Sequence, residues 1–188
     1  MQVNSPVVDS VIIPVLETER LCLRGFKAQD VDDYFAMVSD SEVVRYVGQG
    51  IPLNQEQSWQ SLAFLIGHWQ LTGFGLWAVE EKTSGRVIGR VGLYQPPSWP
   101  GLELGWMLAQ SHWHQGFAFE ATQAVLTWCQ EQPDKQKLIS LIHPENKPSI
   151  KLARKLGARF ANSLNVGGID ALEFAFDLQK SSGTLNAK

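Results

Sequence analysis

A strand-like run, Leu102–Leu108, leads into Trp113-His114-Gln115-Gly116-Phe117-Ala118-Phe119-Glu120-Ala121, and an amphipathic helical pattern follows. This succession of strand, tight glycine turn and helix constrains the chain more than any other stretch. It is how a fold presents bare backbone N–H groups at a helix N-terminus, where the helix dipole adds positive potential. Such a corner suits a phosphate or pyrophosphate. Gly116 and Ala118 are small, so a ligand is able to approach the main chain closely. Which ligand fits depends on the rest of the chain.

Before that corner the pattern alternates between helices and strands. A short strand is expected at Val11–Ile13 and another at Leu21–Arg24. Asp30 is placed to cap a helix carrying Val31, Tyr34, Phe35 and Val38 at helical spacing. Asn54, with Gln57 three residues on, opens a second helix whose stripe is Leu62, Leu65, Ile66 and Trp69, ending at Gly73. Trp59, Trp69 and Trp128 all fall at spacings that suit a core. Leu76–Glu80 and Arg86–Leu93 read as strands joined by a turn at Lys82–Gly85. A Pro-rich loop containing Pro96, Pro97 and Pro100 then leads to Leu102–Leu108.

After the glycine turn comes a helix burying Phe117, Ala121, Ala124, Val125 and Trp128. Leu138–Ile142 is apolar but for Ser140, as for a strand covered on both faces. Pro148 opens a helix bearing Ile150, Ala153 and Leu156, which stops at Gly157. Weaker strands are expected near Arg159–Leu164 and Ala171–Asp177, and Ser181–Lys188 reads as a frayed tail. The order predicts one mixed α/β (α+β) domain over residues 1–180, with a mostly antiparallel sheet of about seven strands and about four helices. No repeat or long linker divides it.

Composition narrows the class. A net charge of −3 argues against a nonspecific nucleic-acid binder, which needs a basic face. No apolar run approaches the roughly 20 residues that span a bilayer. The first residues lack the basic start and apolar run of a signal peptide. Cys22 and Cys129 are far apart, sit in apolar runs and have no metal-ligand spacing. A soluble cytoplasmic protein, monomer or homodimer, with no nucleic-acid or membrane partner and no metal, is the expectation.

At this point the chain resembles the GNAT superfamily of N-acetyltransferases, and within it the ribosomal-protein-alanine N-acetyltransferase (RimJ/RimL-like) branch. The resemblance runs from Leu16-Glu17-Thr18-Glu19-Arg20-Leu21-Cys22-Leu23-Arg24 through Asp40–Tyr46 and is strongest from Leu102 to Ala158. The family's pyrophosphate segment, Q/R-x-x-G-x-G/A, is matched by Trp113-x-x-Gly116-x-Ala118, with Trp in the first place. The second signature is Asn146-Lys147-Pro148-Ser149 and the helix to Gly157. The resemblance implies a GNAT-like acyl-CoA N-acyltransferase fold and acetyl-CoA as co-substrate. It also implies direct attack on the thioester by the amine of a protein N-terminus or a small molecule.

That reaction needs a base for the ammonium, donors for the oxyanion and a proton for the departing thiolate. Glu103 is the candidate base: it interrupts an apolar strand, where a carboxylate is costly unless paired or hydrated. The alternative is a structural Glu tied to an arginine such as Arg24 or Arg90. By family spacing the tyrosine that commonly protonates the sulfur falls at Ala153, so that acid is absent. The resemblance gives its role to Ser149, which also suits the first turn of its helix as a cap. Cofactor contacts are assigned to Met107, Leu108, Trp113, His114, Gln115, Gly116, Phe117, Ala118, Asn146 and Ser149. Met107 and Leu108 are expected to pair with pantetheine amides like a strand. The strand Leu102–Leu108 is expected to part from Leu138–Ile142, with Gly105 easing it through a bulge or serving packing.

His112, His114 and His143 cluster around this region without metal spacing. Tyr46, Trp77 and Trp99 are either acceptor-pocket walls or core. Asp30, Asp32, Asp33, Asp40 and Glu42 form either an acidic rim for a basic acceptor or a solvated helix face. A noncatalytic acyl-CoA-binding or interaction module on the same fold is the competing reading, supported by the missing tyrosine.

Overall fold

The computed structural model describes residues 11–132 and 137–178. The expected tail at Ser181–Lys188 lies outside them. The strands are β1 (Leu16–Glu17), β2 (Leu21–Arg24), β3 (Leu76–Glu81), β4 (Val87–Tyr94), β5 (Leu102–Leu108), β6 (Leu138–Ile142), β7 (Arg159–Val166) and β8 (Ile169–Phe176). The helices are α1 (Val31–Val38), α2 (Ser41–Val44), α3 (Gln55–Thr72), α4 (Phe117–Glu131) and α5 (Lys147–Lys155). The strands form one sheet in the order β1-β2-β3-β4-β5-β6-β8-β7. Every neighbouring pair is antiparallel except β5 and β6.

Among the described residues there are eight strands and five helices, against about seven and four expected from hydrophobic pattern. The additions are short. β1 is two residues long and exists through its pairing with β2. α2 is a single turn, with the Asp40 carboxylate accepting from the Glu42 amide. No strand forms at Val11–Ile13; Val11 and Ile13 pack on the core instead.

Two apolar layers sandwich the sheet. On one face Leu21, Leu23, Trp77, Val79, Val91 and Leu104 meet α4 and α5. Trp77 is fully buried there and donates its indole N–H to the Pro14 carbonyl, so it belongs to the core and not to a pocket wall. Its ring makes edge contacts with Trp69 at 4.7 Å and Trp128 at 5.3 Å, each worth about 0.5–1.5 kcal/mol beyond area burial. On the other face Tyr34, Met37, Leu62 and Leu65 of α1 and α3 cover Leu76 and Met107.

Helix α3 starts as its sequence dictates: Asn54 and Gln57 exchange reciprocal side-chain to main-chain bonds, and Gly73 ends it in the left-handed conformation. Its buried stripe is narrower than expected. Ile66 is 43% exposed and Trp59 61% exposed, because both project to one side of the line through Leu62, Leu65 and Trp69. Asp30 likewise does not cap α1 through its side chain. It is buried, and its carboxylate holds the Arg24 guanidinium at 2.7 and 2.9 Å while accepting from the Lys27 amide. No helix of the described residues is long and apolar enough to cross a membrane.

Candidate active site

The parallel contact between β5 and β6 lasts two rungs, Leu102 against Leu138 and Glu103 against Ile139. Beyond it the strands diverge, and side chains occupy the places of the missing rungs. The Ser140 hydroxyl donates to the Leu104 carbonyl at 2.5 Å. The Leu141 main-chain N–H donates to the Glu103 carboxylate. The β4–β5 register runs without a shift through Gly92 opposite Gly105. Gly105 therefore makes no bulge.

That register also assigns the main-chain groups of β5. Ala109 N–H donates to the Ile88 carbonyl and Met107 stands opposite Arg90, so the odd-numbered residues bond to β4 and the even-numbered ones face the gap. The main chains of Trp106 and Leu108 thus lie on the open edge. Met107 offers its side chain to the cavity and its main chain to β4. The Leu108 carbonyl is taken by the Trp113 indole N–H at 2.8 Å.

A cavity of about 390 Å³ opens where the strands part. Its floor is a stretch of the β4–β5 ladder with Arg90 beside Met107, Gly92 beside Gly105, and Tyr94 beside Glu103. Paired residues in such a ladder share one face. A Cβ on Gly105 would meet nothing within 4 Å, whereas one on Gly92 would lie 2.3 Å from the Gly75 carbonyl oxygen. One glycine opens the hollow and the other permits close packing of β3. Tyr46, Phe64, Trp99 and His143 form aromatic walls, with Asn146 and Ser149 also on the lining. The Tyr46 and His143 rings lie 5.1 Å apart.

Glu103 is held by neutral donors. The Trp99 indole N–H reaches its Oε2 at 2.7 Å, and Trp99 in turn packs edge-on to Tyr94 at 5.1 Å. Burial pushes the Glu103 carboxyl up to about 7, and the Trp99 bond, the Leu141 amide and the Arg90 charge restrain the rise. No ion pair among the described residues includes Glu103. Arg24, one suggested partner, is bound to Asp30 and Glu80. Arg90 acts on Glu103 only through space. Burial also raises Tyr94, and the Glu103 charge adds to it.

Ser149 lies across the gap in the first turn of α5. The cap of that helix is Asn146, whose side-chain oxygen accepts from the Ser149 amide at 3.2 Å. The Ser149 hydroxyl is not the cap. Its Oγ accepts from the Trp106 indole N–H at 3.2 Å, which leaves the hydroxyl proton free to donate elsewhere. Ala153 is fully buried in the core and has no part in the lining.

The glycine corner forms as the sequence pattern requires. Gly116 sits at φ +84° as the residue before α4, and no side chain caps the helix. His114 is also left-handed, at φ +60°. The amides of Phe117 and Ala118 begin α4, so they have no intrahelical acceptor. Trp113 turns inward to clip the corner to β5. A guanidinium comes from a different element: Arg20 donates to the Gln115 carbonyl at 3.0 Å, lies 4.2 Å from the Phe117 ring centroid and is paired with Glu120. Its Nη2 is 3.5 Å from where a Cβ on Gly116 would stand. Bare amides, a left-handed glycine and a cation fit a diphosphate, and the free edge of β5 fits an extended amide chain.

The acidic residues resolve differently. Asp30 and Asp33 pair with Arg24 and Arg86, Asp40 caps α2, and none of Asp30, Asp32, Asp33, Asp40 or Glu42 lines the cavity. His112 bonds Ser111, and His143 accepts from the Glu145 amide through Nδ1. Among the described residues no group of His, Cys, Asp and Glu is placed to hold a metal ion.

Residues 20–159 match the acetyltransferase (GNAT) domain family. The chain belongs to the GNAT acetyltransferases. An uncharacterized N-acetyltransferase of Bacillus licheniformis, p20, is 31% identical over 143 residues, covering 75% of this chain and 80% of that protein. The acetyltransferase from Agrobacterium tumefaciens is similar in structure, with a TM-score of 0.76 and 27% identity over 88% of this chain and 95% of that one. RimL, a ribosomal L7/L12 alpha-N-protein acetyltransferase solved with coenzyme A, shares the fold at a TM-score of 0.73 and 15% identity, over 87% of this chain and 97% of that one. This GNAT protein is therefore an acyltransferase on an eight-stranded version of the expected fold.

Proposed function

We propose that this protein transfers an acetyl group from acetyl-CoA to a primary amine by direct attack, the acceptor being a protein N-terminus or a small molecule. Residues 1–180 act as one catalytic domain. The observation that carries the reading is Glu103 poised near neutrality at the parting of β5 and β6, with the Ser149 hydroxyl on the same cavity. Glu103 accepts the amine proton, directly or through one water, so that nitrogen has a lone pair to form the C–N bond. Main-chain N–H groups on the open edge of β5 receive the developing oxyanion. As the C–S bond breaks, the acylated nitrogen gives up its second proton to solvent, the Ser149 hydroxyl delivers one to sulfur, and solvent returns a proton to Ser149, so the net proton released is the one Glu103 took. Acetyl-CoA supplies the activated acyl group; the Gly116 corner takes its diphosphate, and Asn146 with the β5 edge takes the pantetheine arm.

The test is release of free CoA thiol with acetyl-CoA and a panel of amines and peptides, with acetylated products identified by mass. Turnover that is lost in Glu103→Gln while CoA still binds supports the assignment. Tight CoA binding with no amine consumed by the unaltered protein would refute it.

A further inference from the structure

Among the described residues Arg90 is the one arginine that is neither exposed nor ion-paired. Arg20, Arg24, Arg45 and Arg86 each hold a carboxylate. Arg154 and Arg159 are exposed to solvent. Arg90 instead lines the cavity, and its guanidinium donates no hydrogen bond to any described residue. Its fork of N–H donors is thus open to an anion that enters the cavity.

Resting on the acetyltransferase reading, we infer that Arg90 binds a carboxylate carried by the amine acceptor, so that the substrate class is a small amino acid and not a simple amine or polyamine. The ladder supports this. Arg90 and Tyr94 are four residues apart on one face, roughly 13 Å along the strand at about 3.3 Å per residue. The two rungs are separated only by the glycine pair Gly92 and Gly105. Glu103, opposite Tyr94, marks the end where the amine loses its proton. Shortened by the reach of two long side chains, this separation suits an amine and an acid on one small molecule. Tyr46, Phe64 and Trp99 would pack against its body. A carboxylate is favoured over a phosphate because one guanidinium stands here against the Glu103 and Asp170 carboxyls on the same lining. A second negative charge on the ligand would meet repulsion without a second cation.

The test compares kcat/KM for amino acids and for their amides, which keep the amine and remove the charge, at a pH well above the Glu103 ionisation. The acid-to-amide ratio is read in the unaltered protein, Arg90→Lys and Arg90→Gln, with folding checked by thermal denaturation. Because any effect on Glu103 is common to both acceptors, it cancels in the ratio. Preference for the acids in the first two proteins, falling about tenfold or more in Arg90→Gln, is expected for the loss of one charge-assisted hydrogen bond. Acetylation without acid preference, or a ratio unmoved by Arg90→Gln, would overturn the inference and leave the acetyltransferase standing. Acidic peptides consumed while free amino acids are inert would overturn the small-molecule assignment. CoA binding without turnover of any amine would sink both.

Discussion

Replacing Trp99 with Phe isolates one hydrogen bond to the candidate base. Phe keeps an aromatic ring to pack against Tyr94 and loses the indole N–H that reaches Glu103 at 2.7 Å, along with the second ring. The rise of Glu103 from 4.5 to about 7 corresponds to about 3 kcal/mol against the carboxylate form. A hydrogen bond to a charged group is worth about 1.5–3 kcal/mol, or about one to two pKa units. The bond favours the ionised form, so its loss moves Glu103 upward, to about 8–9. At pH 7 the carboxylate fraction falls from about one half to between about one tenth and one hundredth, and kcat/KM with it by about 5- to 50-fold.

The assay is the pH profile of kcat/KM by thiol release. The acidic limb is expected near 7 in the unaltered protein, where burial places Glu103, and at higher pH in Trp99→Phe, with rates recovering in alkaline buffer. It is expected to vanish in Glu103→Gln. A structural defect would lower the whole curve without displacing the limb. A limb that stays near 7 in Trp99→Phe would refute the energetic reasoning, and one that survives in Glu103→Gln would move the base to another residue.

Ser149→Ala should lower kcat by about a hundredfold while changing acetyl-CoA affinity little; equal losses in both, measured by calorimetry and turnover, would give the hydroxyl a binding role. Gly116→Glu should abolish CoA binding by titration, while Gly116→Ala pays only the left-handed backbone cost of about 1 kcal/mol. Unchanged affinity in Gly116→Glu would put the diphosphate elsewhere. Glu103→Gln should stabilise the fold at alkaline pH: a raised folded-state pKa means stability present below 4.5 is lost as pH climbs through about 7. Urea denaturation should show a gain of up to about 3 kcal/mol above that range and none below it. Asp30→Ala leaves the buried Arg24 guanidinium without its two-bond partner and should cost about 3 kcal/mol, read as a lower urea midpoint.

Local rules made most of the frame legible in the chain. The Asn54–Gln57 box, the Lys82–Gly85 turn, the largely apolar β6 and the glycine turn at Gly116 each depend on neighbouring residues, and each forms where the pattern puts it. What escaped depends on distant residues. β1 exists because β2 offers an edge, not because two residues have a period. A carboxylate in a strand suggests an arginine partner, but the donor to Glu103 is Trp99, which arrives from the Pro-rich loop, whose path no periodicity describes. Gly105 in isolation suggests either a bulge or a packing role; its unshifted pairing with Gly92 excludes the bulge, and the empty space over it shows that it opens the cavity. Asp30 looked like a cap until Arg24, six residues back, claimed its carboxylate.

One event, the departure of β6 from β5, accounts for both the reactivity and the binding surface. Had the ladder continued, the Leu141 N–H would have served a main-chain carbonyl and the even-numbered groups of β5 would be closed. Instead that N–H goes to Glu103, and Ser140 satisfies Leu104. The carboxylate is thus supported by neutral dipoles and not by a direct cation. An arginine in contact would have pulled its pKa well below neutrality and made it a feeble base. Holding Arg90 back along the strand preserves the basicity of Glu103 and leaves the guanidinium free for a ligand. Moving a cation into contact with Glu103 would therefore weaken catalysis even while it stabilised the fold.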